Sequence, residues 1–323
     1  MEIRNSKILV IGGAGLIGSH IVEELVQEDI GKLVILDNFT RGKLENIEHV
    51  LQDERVEYYE GDITHVDVLD YVVKGADYVF HLAALWLLHC HEFPRASFEV
   101  NIAGTFNVLE ACVKNNVEKL IYSSSASVYG DSLETPMTEN HPYNNQTFYG
   151  ATKIAGEHMC RAFFHRYGLH YVGLRYMNVY GPRQDYRSAY TSVIMKVLDQ
   201  IDLGKSPVVY GDGSQAYDFI HVRDVARANV CALKGDTTDN FYNVGCGIKT
   251  TIKELVELLL ELTRCNLEIQ YEPAGLIFVT NRVGSTDKAE YELNFKSEVD
   301  LKQGLVDTIR WRNQQTDTGI YPV

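Results

Sequence analysis

The chain has 323 residues, 45% of them hydrophobic, and its 44 acidic against 30 basic side chains leave a net charge of −14. That is enough chain for one large domain, or for a core domain with a smaller lobe. The acidity speaks against a nucleic-acid partner, which needs a basic face; no stretch is long and apolar enough to span a membrane, and any anionic ligand must be met by local positive groups.

Lys7-Ile8-Leu9-Val10-Ile11 reads as a buried parallel strand. It runs into Gly12-Gly13-Ala14-Gly15-Leu16-Ile17-Gly18, and a helix is predicted over 19–27. Gly12, Gly15 and Gly18 suit a tight turn, a close backbone approach to a pyrophosphate, and a helix packed closely on a strand. The helix N-terminus adds free N–H groups and positive dipole for phosphates, with Leu16 and Ile17 inside the turn. A second strand over 32–36 ends in Asp37, where a carboxylate would hold a ribose 2′-hydroxyl, favouring NAD over NADP. Arg41 raises NADP as the weaker option, which the same carboxylate opposes by repelling a 2′-phosphate.

The alternation continues. Strands are predicted over 56–60, 78–82, 119–122 and 170–175, and helices over 66–74, 98–115 and 150–167. Such alternation predicts an α/β fold of the Rossmann type, a doubly wound parallel sheet with helices on both faces. Beyond Arg175 the pattern loosens: helices over 195–203, 221–233 and 251–263, and short strands over 207–210 and 268–272. Residues 1–178 are read as the NAD-binding domain, with 215–245 returning to it, and 179–323 as mainly a smaller, interleaved substrate-binding lobe. Cys90, Cys112, Cys160, Cys231, Cys246 and Cys265 are scattered without C-x-x-C, as in a reduced, cytoplasmic protein. The sequence opens directly in a strand, so no signal peptide is expected.

Tyr149 and Lys153 stand at i and i+4 and share one helix face. A free phenol, with a pKa near ~10, is a poor base at neutral pH. The Lys153 ammonium and a nicotinamide cation are expected to lower that pKa. Tyr149 then takes a proton from a substrate hydroxyl while hydride leaves the same carbon. Ser125, ending the run Ser123-Ser124-Ser125, would hydrogen-bond the same oxygen. All these motifs fall at or just beyond strand carboxyl ends, where such sheets bind ligands.

In these motifs the chain resembles the extended short-chain dehydrogenase/reductases of the nucleotide-sugar epimerase and dehydratase group, and most nearly the UDP-hexose 4-epimerases. The resemblance spans nearly the whole length. It includes Asp37-Asn38-Phe39, Gly61-Asp62-Ile63, His81-Leu82-Ala83-Ala84, Asn101-Ile102-Ala103-Gly104-Thr105, Ser123 to Gly130, Tyr149 to Lys153, Leu174 to Arg183, Gly211 to Gln215 and Asp218 to Ala226. It implies NAD contacts from Asn38, Asp62, Ile63, Leu82, Ala83, Ala84, Asn101, Ser123 and Tyr176, besides the glycine turn, Asp37, Tyr149 and Lys153.

The resemblance further implies transient oxidation of a sugar 4-hydroxyl. The 4-keto sugar then takes hydride back on its other face, loses water, or loses carbon dioxide. Family dehydratases carry an Asp-Glu pair after the catalytic hydroxyl residue, and the decarboxylases a Glu. Here Ala126 and Ser127 stand there, neither a useful acid or base, which leaves 4-epimerisation unless Glu92 or Asp131 reaches in from another loop. Net dehydrogenation or isomerisation of an unusual activated sugar, and a dinucleotide sensor that has lost catalysis, remain as alternatives.

For the substrate, Asn178 matches a diphosphate contact of the family. Tyr217 and Gly275 occupy positions where the family has arginine. Arg282, Arg183 or Arg187 would then supply the fork-shaped cation suited to phosphate. Trp86, in Ala84-Leu85-Trp86-Leu87-Leu88-His89-Cys90-His91, either stacks on a sugar or fills the core. Gln146 and Thr147 are expected to line the same pocket. The two histidines and the cysteine near Trp86 have no metal-site spacing, and no metal is expected. The family's dimeric four-helix bundle predicts a homodimer, with Phe106, Leu109, Val113, Phe163 and Phe164 as its apolar surface.

Overall fold

The computed structural model describes residues 3–186, 192–274 and 279–315. In chain order it contains β1 (Lys7–Ile11), α1 (Leu16–Val26), β2 (Lys32–Asp37), β3 (Val56–Glu60), α2 (Val66–Val73), β4 (Tyr78–His81), α3 (Leu87–Glu92), α4 (Pro94–Ser97), α5 (Thr105–Lys114), β5 (Lys119–Ser125), α6 (Phe148–Tyr167) and β6 (His170–Tyr176). There follow β7 (Asn178–Tyr180), α7 (Val193–Asp202), β8 (Val208–Tyr210), β9 (Ala216–Tyr217), β10 (Phe219–His221), α8 (Val222–Lys234), β11 (Asn240–Val244), β12 (Thr250–Thr251), α9 (Ile252–Leu262), β13 (Gln270–Glu272), β14 (Asn281–Arg282), α10 (Asp287–Leu293) and α11 (Leu301–Gln315).

Seven strands form one parallel sheet in the order β11-β6-β5-β4-β1-β2-β3. The central strands are buried on both faces, which explains their unbroken apolar runs. One apolar core lies under α1 and α8, a second under α2, α5 and α6. The chain moves outward from β1 to β3 and then crosses back to β4. The reversal between β1 and β4 opens a crevice at their carboxyl ends, the usual ligand site of such sheets. A third core joins α7, α9 and α11 in the smaller lobe. The 240–244 strand returns from beyond that lobe to the sheet edge beside β6.

Three elements differ from the sequence reading. The helix expected over 98–115 starts earlier, at Pro94, and is not regular: Phe98–Gly104 forms a wide π-helical segment that joins α4 to α5. β5 runs three residues further than expected, because β6 offers a ladder partner out to the pair Ser125 and Tyr176. The third concerns the face assigned to a dimer. Leu109 and Phe163 are buried against the chain's own sheet, and Val113 and Phe164 pack on the same core. Of those five side chains Phe106 stays exposed, as do Phe98, Phe148 and Tyr167 nearby. Among the described residues no helix is long and apolar enough to cross a membrane.

Candidate functional site

The crevice is a groove lined by Gly12, Gly15, Leu16, Ile17 and Gly18, by Asp37 and Asn38, by Asp62 and Ile63, and by Leu82, Ala83 and Ala84. Gly12 turns with φ 83°, and a Cβ there would lie 2.8 Å from the Ala83 nitrogen. At Gly18 a Cβ would lie 2.1 Å from the Gly12 carbonyl oxygen, so strand, turn and helix meet backbone to backbone. α1 starts without a side-chain cap and without an acid in its first turn, which leaves its N–H groups and dipole for an anion.

Asp37 closes the end of β2. Its Oδ2 accepts from the Ala14 nitrogen at 2.9 Å and its Oδ1 from the Phe39 nitrogen at 2.9 Å. Burial raises its pKa and these backbone bonds oppose the rise. The carboxylate is thus fixed at the groove wall, with lone pairs left for a hydroxyl. The Asn38 side chain donates to Asp62 at 2.6 Å, joining the ends of two adjacent strand loops along the rim. A glycine cradle, an uncapped helix start and a fixed acceptor at the next strand end fit an adenine dinucleotide.

At the other end of the groove lie Ser123, Tyr149, Lys153 and Tyr176. Thr147 caps α6 by accepting from the Gly150 nitrogen, which sets the register that brings Tyr149 and Lys153 onto the sheet-facing side. Lys153 is buried and donates to the Ser123 carbonyl at 2.7 Å. Its Nζ lies 5.8 Å from the Tyr149 ring centroid. Ser125 Oγ accepts from the Ser127 nitrogen at 3.1 Å. That leaves its O–H to donate, and it is hydrogen-bonded with Tyr149.

The electrostatics differ from the simple expectation. Burial drives the Tyr149 hydroxyl up to about 12; the Ser125 hydrogen bond leads the opposing effects, followed by the charges of Arg282 and Arg41. Burial likewise brings Lys153 down to about 8. Arg282 and Arg41, two arginines outside the motif, thus add their charge to the effects that hold the Tyr149 pKa down.

The remaining site residues divide. Asn101, expected on the cofactor, uses its side chain elsewhere: Oδ1 accepts from the Leu85 nitrogen at 2.7 Å, and Nδ2 donates to the Leu85 carbonyl and to Thr152 Oγ1. It ties the loop after β4 to α6 and does not line the groove. Gln146 is exposed and does not line it either. The Tyr217 hydroxyl is occupied by the Val279 carbonyl at 2.7 Å. Arg183 does line the groove, but on the dinucleotide side, paired with Glu23 of α1. Arg187 and Gly275 lie outside the described residues.

Trp86 Nε1, Asn178 Nδ2 and Arg282 Nε are buried donors without a hydrogen-bond partner. The Asn178 nitrogen donates to the Asp218 carbonyl, and the Asp218 nitrogen to the Arg282 carbonyl, so positions 178, 218 and 282 lie side by side. Burial pulls Arg282 down to about 10 against the influence of Tyr217, Asp131 and Tyr149. Asp131 does not pair with it directly, because its carboxylate accepts from Thr280 and Asn281. Buried donors without acceptors, one of them a guanidinium, call for an acceptor-rich ligand.

A buried network behind Tyr149 and Lys153 was not anticipated. Glu157, one turn beyond Lys153, accepts from Ser124 Oγ, from Tyr143 at 2.8 Å, and from Arg175 Nε and Nη2 at 2.8 and 2.7 Å. Arg175 also donates to the Tyr129 hydroxyl and the Glu139 carbonyl. The clue in the sequence was a lone arginine in the otherwise uncharged strand Val172-Gly173-Leu174-Arg175-Tyr176, with an acid continuing the Tyr149, Lys153 spacing. Among the described residues no group of three or more His, Cys, Asp or Glu side chains could hold a metal ion.

Comparison with known proteins gives four findings. A sequence model of the family described as "NAD dependent epimerase/dehydratase family" matches residues 8–245. The chain is similar to the structure of a UDP-N-acetylglucosamine 4-epimerase from Methanobrevibacter ruminantium, at 35% identity and TM-score 0.92 over 97% of this chain and 100% of that one. It is also similar to a UDP-glucose 4-epimerase from Thermotoga maritima, at 32% identity and TM-score 0.89 over 96% and 99%. A dTDP-glucose 4,6-dehydratase from Actinoplanes is 31% identical over 94% of this chain and 97% of its own length.

Proposed function

Because the chain belongs to the NAD-dependent epimerase/dehydratase family, we infer that it inverts a nucleotide sugar at C4 through a transient 4-keto sugar. Epimerisation is favoured over dehydration chiefly by the turn after Ser125, where Ala126 and Ser127 stand and no acid follows the serine. Ala126 and Ser127 are buried in the turn after Ser125. Asp131 is engaged by Thr280 and Asn281, and Glu92 is exposed at the end of α3. Eliminating water needs a further acid and base beside the Tyr149 hydroxyl.

NAD is the cofactor; the glycine turn, Asp37 and the rim residues would hold it, and it would supply a reversible store for the hydride of the sugar carbon. The chain's own residues handle the proton and the geometry. Tyr149 Oη takes the proton of the C4 hydroxyl as the C–H bond breaks, and returns it when that bond re-forms on the opposite face. Ser125 donates to the same oxygen. Lys153, fixed on the Ser123 carbonyl, keeps a positive charge beside the phenol. Asn178, Trp86 and Arg282 are the donors we assign to the nucleotide sugar, with Arg282 toward its anionic part. Arg282 stands in register with Tyr217 on the neighbouring strand, so a cation is available where the family's usual arginine is missing. Exposed Phe98, Phe106 and Tyr167 around α5 and α6 support pairing of two copies there.

The test is proton NMR of the anomeric region with UDP-, dTDP-, GDP- and CDP-sugars, following NADH absorbance in parallel. A new epimer without accumulating NADH is expected. NADH growing in proportion to sugar lost would replace the reading with a net dehydrogenase.

A further inference from the structure

Arg41, Trp86 and Asp185 come from three different loops, after β2, β4 and β7, yet they meet over the dinucleotide groove. The Arg41 guanidinium lies 4.1 Å from the centroid of the Trp86 ring. Its Nη2 stands 3.5 Å from Asp185 Oδ2. Two residues before Asp185, Arg183 is paired with Glu23 of α1, tying the same loop to the helix that begins at the glycine turn. Arg41, Trp86, Arg183 and Asp185 all line the groove that Gly12, Gly15 and Asp37 line. The two loops that approach from opposite sides each hold a non-glycine residue in left-handed backbone, Phe39 at φ 53° and Arg183 at φ 69°, a strained conformation that neighbouring contacts must maintain. The chemistry above draws on the Trp86 indole N–H and on the charge of Arg41, but not on the contacts that join Arg41 to the Trp86 ring and to Asp185.

We propose that Arg41, stacked on Trp86 and paired with Asp185, is a clasp across the groove that holds NAD in and slows its exit, so that one cofactor molecule serves successive turnovers. The proposal rests on NAD binding and not on which sugar is turned over. Each contact alone is modest. The ion pair is partly exposed, at 39% and 19% of the two side chains, and exposed pairs are individually weak. The geometry joins them: one guanidinium uses its face on the indole and its edge on the carboxylate, which a lysine could not do. A dinucleotide lying beneath must part both contacts to leave, and the same contacts must part to let it in, so the clasp slows exchange in both directions, exit included.

The experiment loads the purified protein with NADH, mixes it with a large excess of NAD⁺, and follows loss of bound-NADH fluorescence. Arg41→Ala and Trp86→Ala are each expected to raise the exit rate roughly 10-fold, Asp185→Asn by less, and Arg41→Lys to fall between the parent and Arg41→Ala. Glu45→Ala, an exposed change in the same stretch after β2, is expected to leave the exit rate unchanged. Exit from Arg41→Ala and Trp86→Ala within about twofold of the parent, with far-UV circular dichroism intact, would overturn the clasp. Should either variant fail to fold, Arg41→Lys and Asp185→Asn carry the same comparison. A parent protein that binds no NADH would overturn the cofactor reading itself, and the clasp with it.

Discussion

Removing the Glu157 carboxylate tests the buried network in both stability and catalysis. Glu157 and Arg175 are almost fully buried, at 1% and 4% side-chain exposure. Burial alone would lower the Arg175 pKa, but the bonds from Glu157 outweigh it and hold the guanidinium above its ordinary value. Glu157→Ala strips Arg175 of two charge-assisted bonds and leaves a cation in the interior with only hydroxyl and carbonyl partners. Breaking such a pair from one side costs about 3–5 kcal/mol, a large share of the ~5–15 kcal/mol that stabilises a typical domain. Replacing both partners by apolar groups leaves no unpaired charge and costs much less than the sum. The assay is urea unfolding of the parent, Glu157→Ala, Arg175→Met and the double variant. We expect both single variants to lose about 3 kcal/mol or more, and the double variant to recover at least ~2 kcal/mol of their sum. Since Ser124 adjoins Ser125 and Glu157 follows Lys153 by one turn, Glu157→Gln is expected to lower kcat more than it raises KM. Additive losses in the cycle, or a loss below about 1 kcal/mol for Glu157→Ala, would refute the reasoning.

Gly18→Ala puts a Cβ 2.1 Å from the Gly12 carbonyl oxygen and 2.7 Å from the Gly13 Cα; the variant should purify without nucleotide, checked by acid release and chromatography. Arg282→Met should raise KM for the nucleotide sugar by roughly 10- to 100-fold, the equivalent of one charged hydrogen bond; a fall in kcat alone would remove Arg282 from the substrate. Lys153 titrates at about 8, so the ammonium is present below that pH and lost above it. Tyr149 must lose its proton to act as the base and is pushed up to about 12, so the rate should climb with pH up to about 8 and level off above it, where the growing phenolate offsets the lost ammonium; a rate that keeps climbing through about pH 9.5 would take Lys153 out of the chemistry.

The cofactor half of the site was legible because its rules are local. A glycine turn between an apolar strand and a helix, an acid closing the next strand, and Tyr149 with Lys153 one helical turn apart each fix geometry within a few residues. What the sequence hid depends on distant contacts. Asn101 looked like a cofactor ligand, but the wide turn over 98–104 aims it at Leu85 and Thr152. Arg183 was read as a substrate cation, and the sequence did not show that the fold pairs it with Glu23, 160 residues earlier, and leaves its Nη1 buried without a partner. Leu109 and Phe163 looked like dimer surface because periodicity marks an apolar face without saying what covers it, and here the sheet does. The tuning of Tyr149 by Arg282 and Arg41 joins three segments that only the fold brings together.

The most direct test of the central claim uses a nucleotide sugar carrying deuterium at C4, with the product read by NMR. Transient oxidation with the hydride returned to its own carbon predicts a 4-epimer that keeps its deuterium at C4 while no NADH accumulates. Deuterium lost to solvent, or NADH released with the label, would contradict the account.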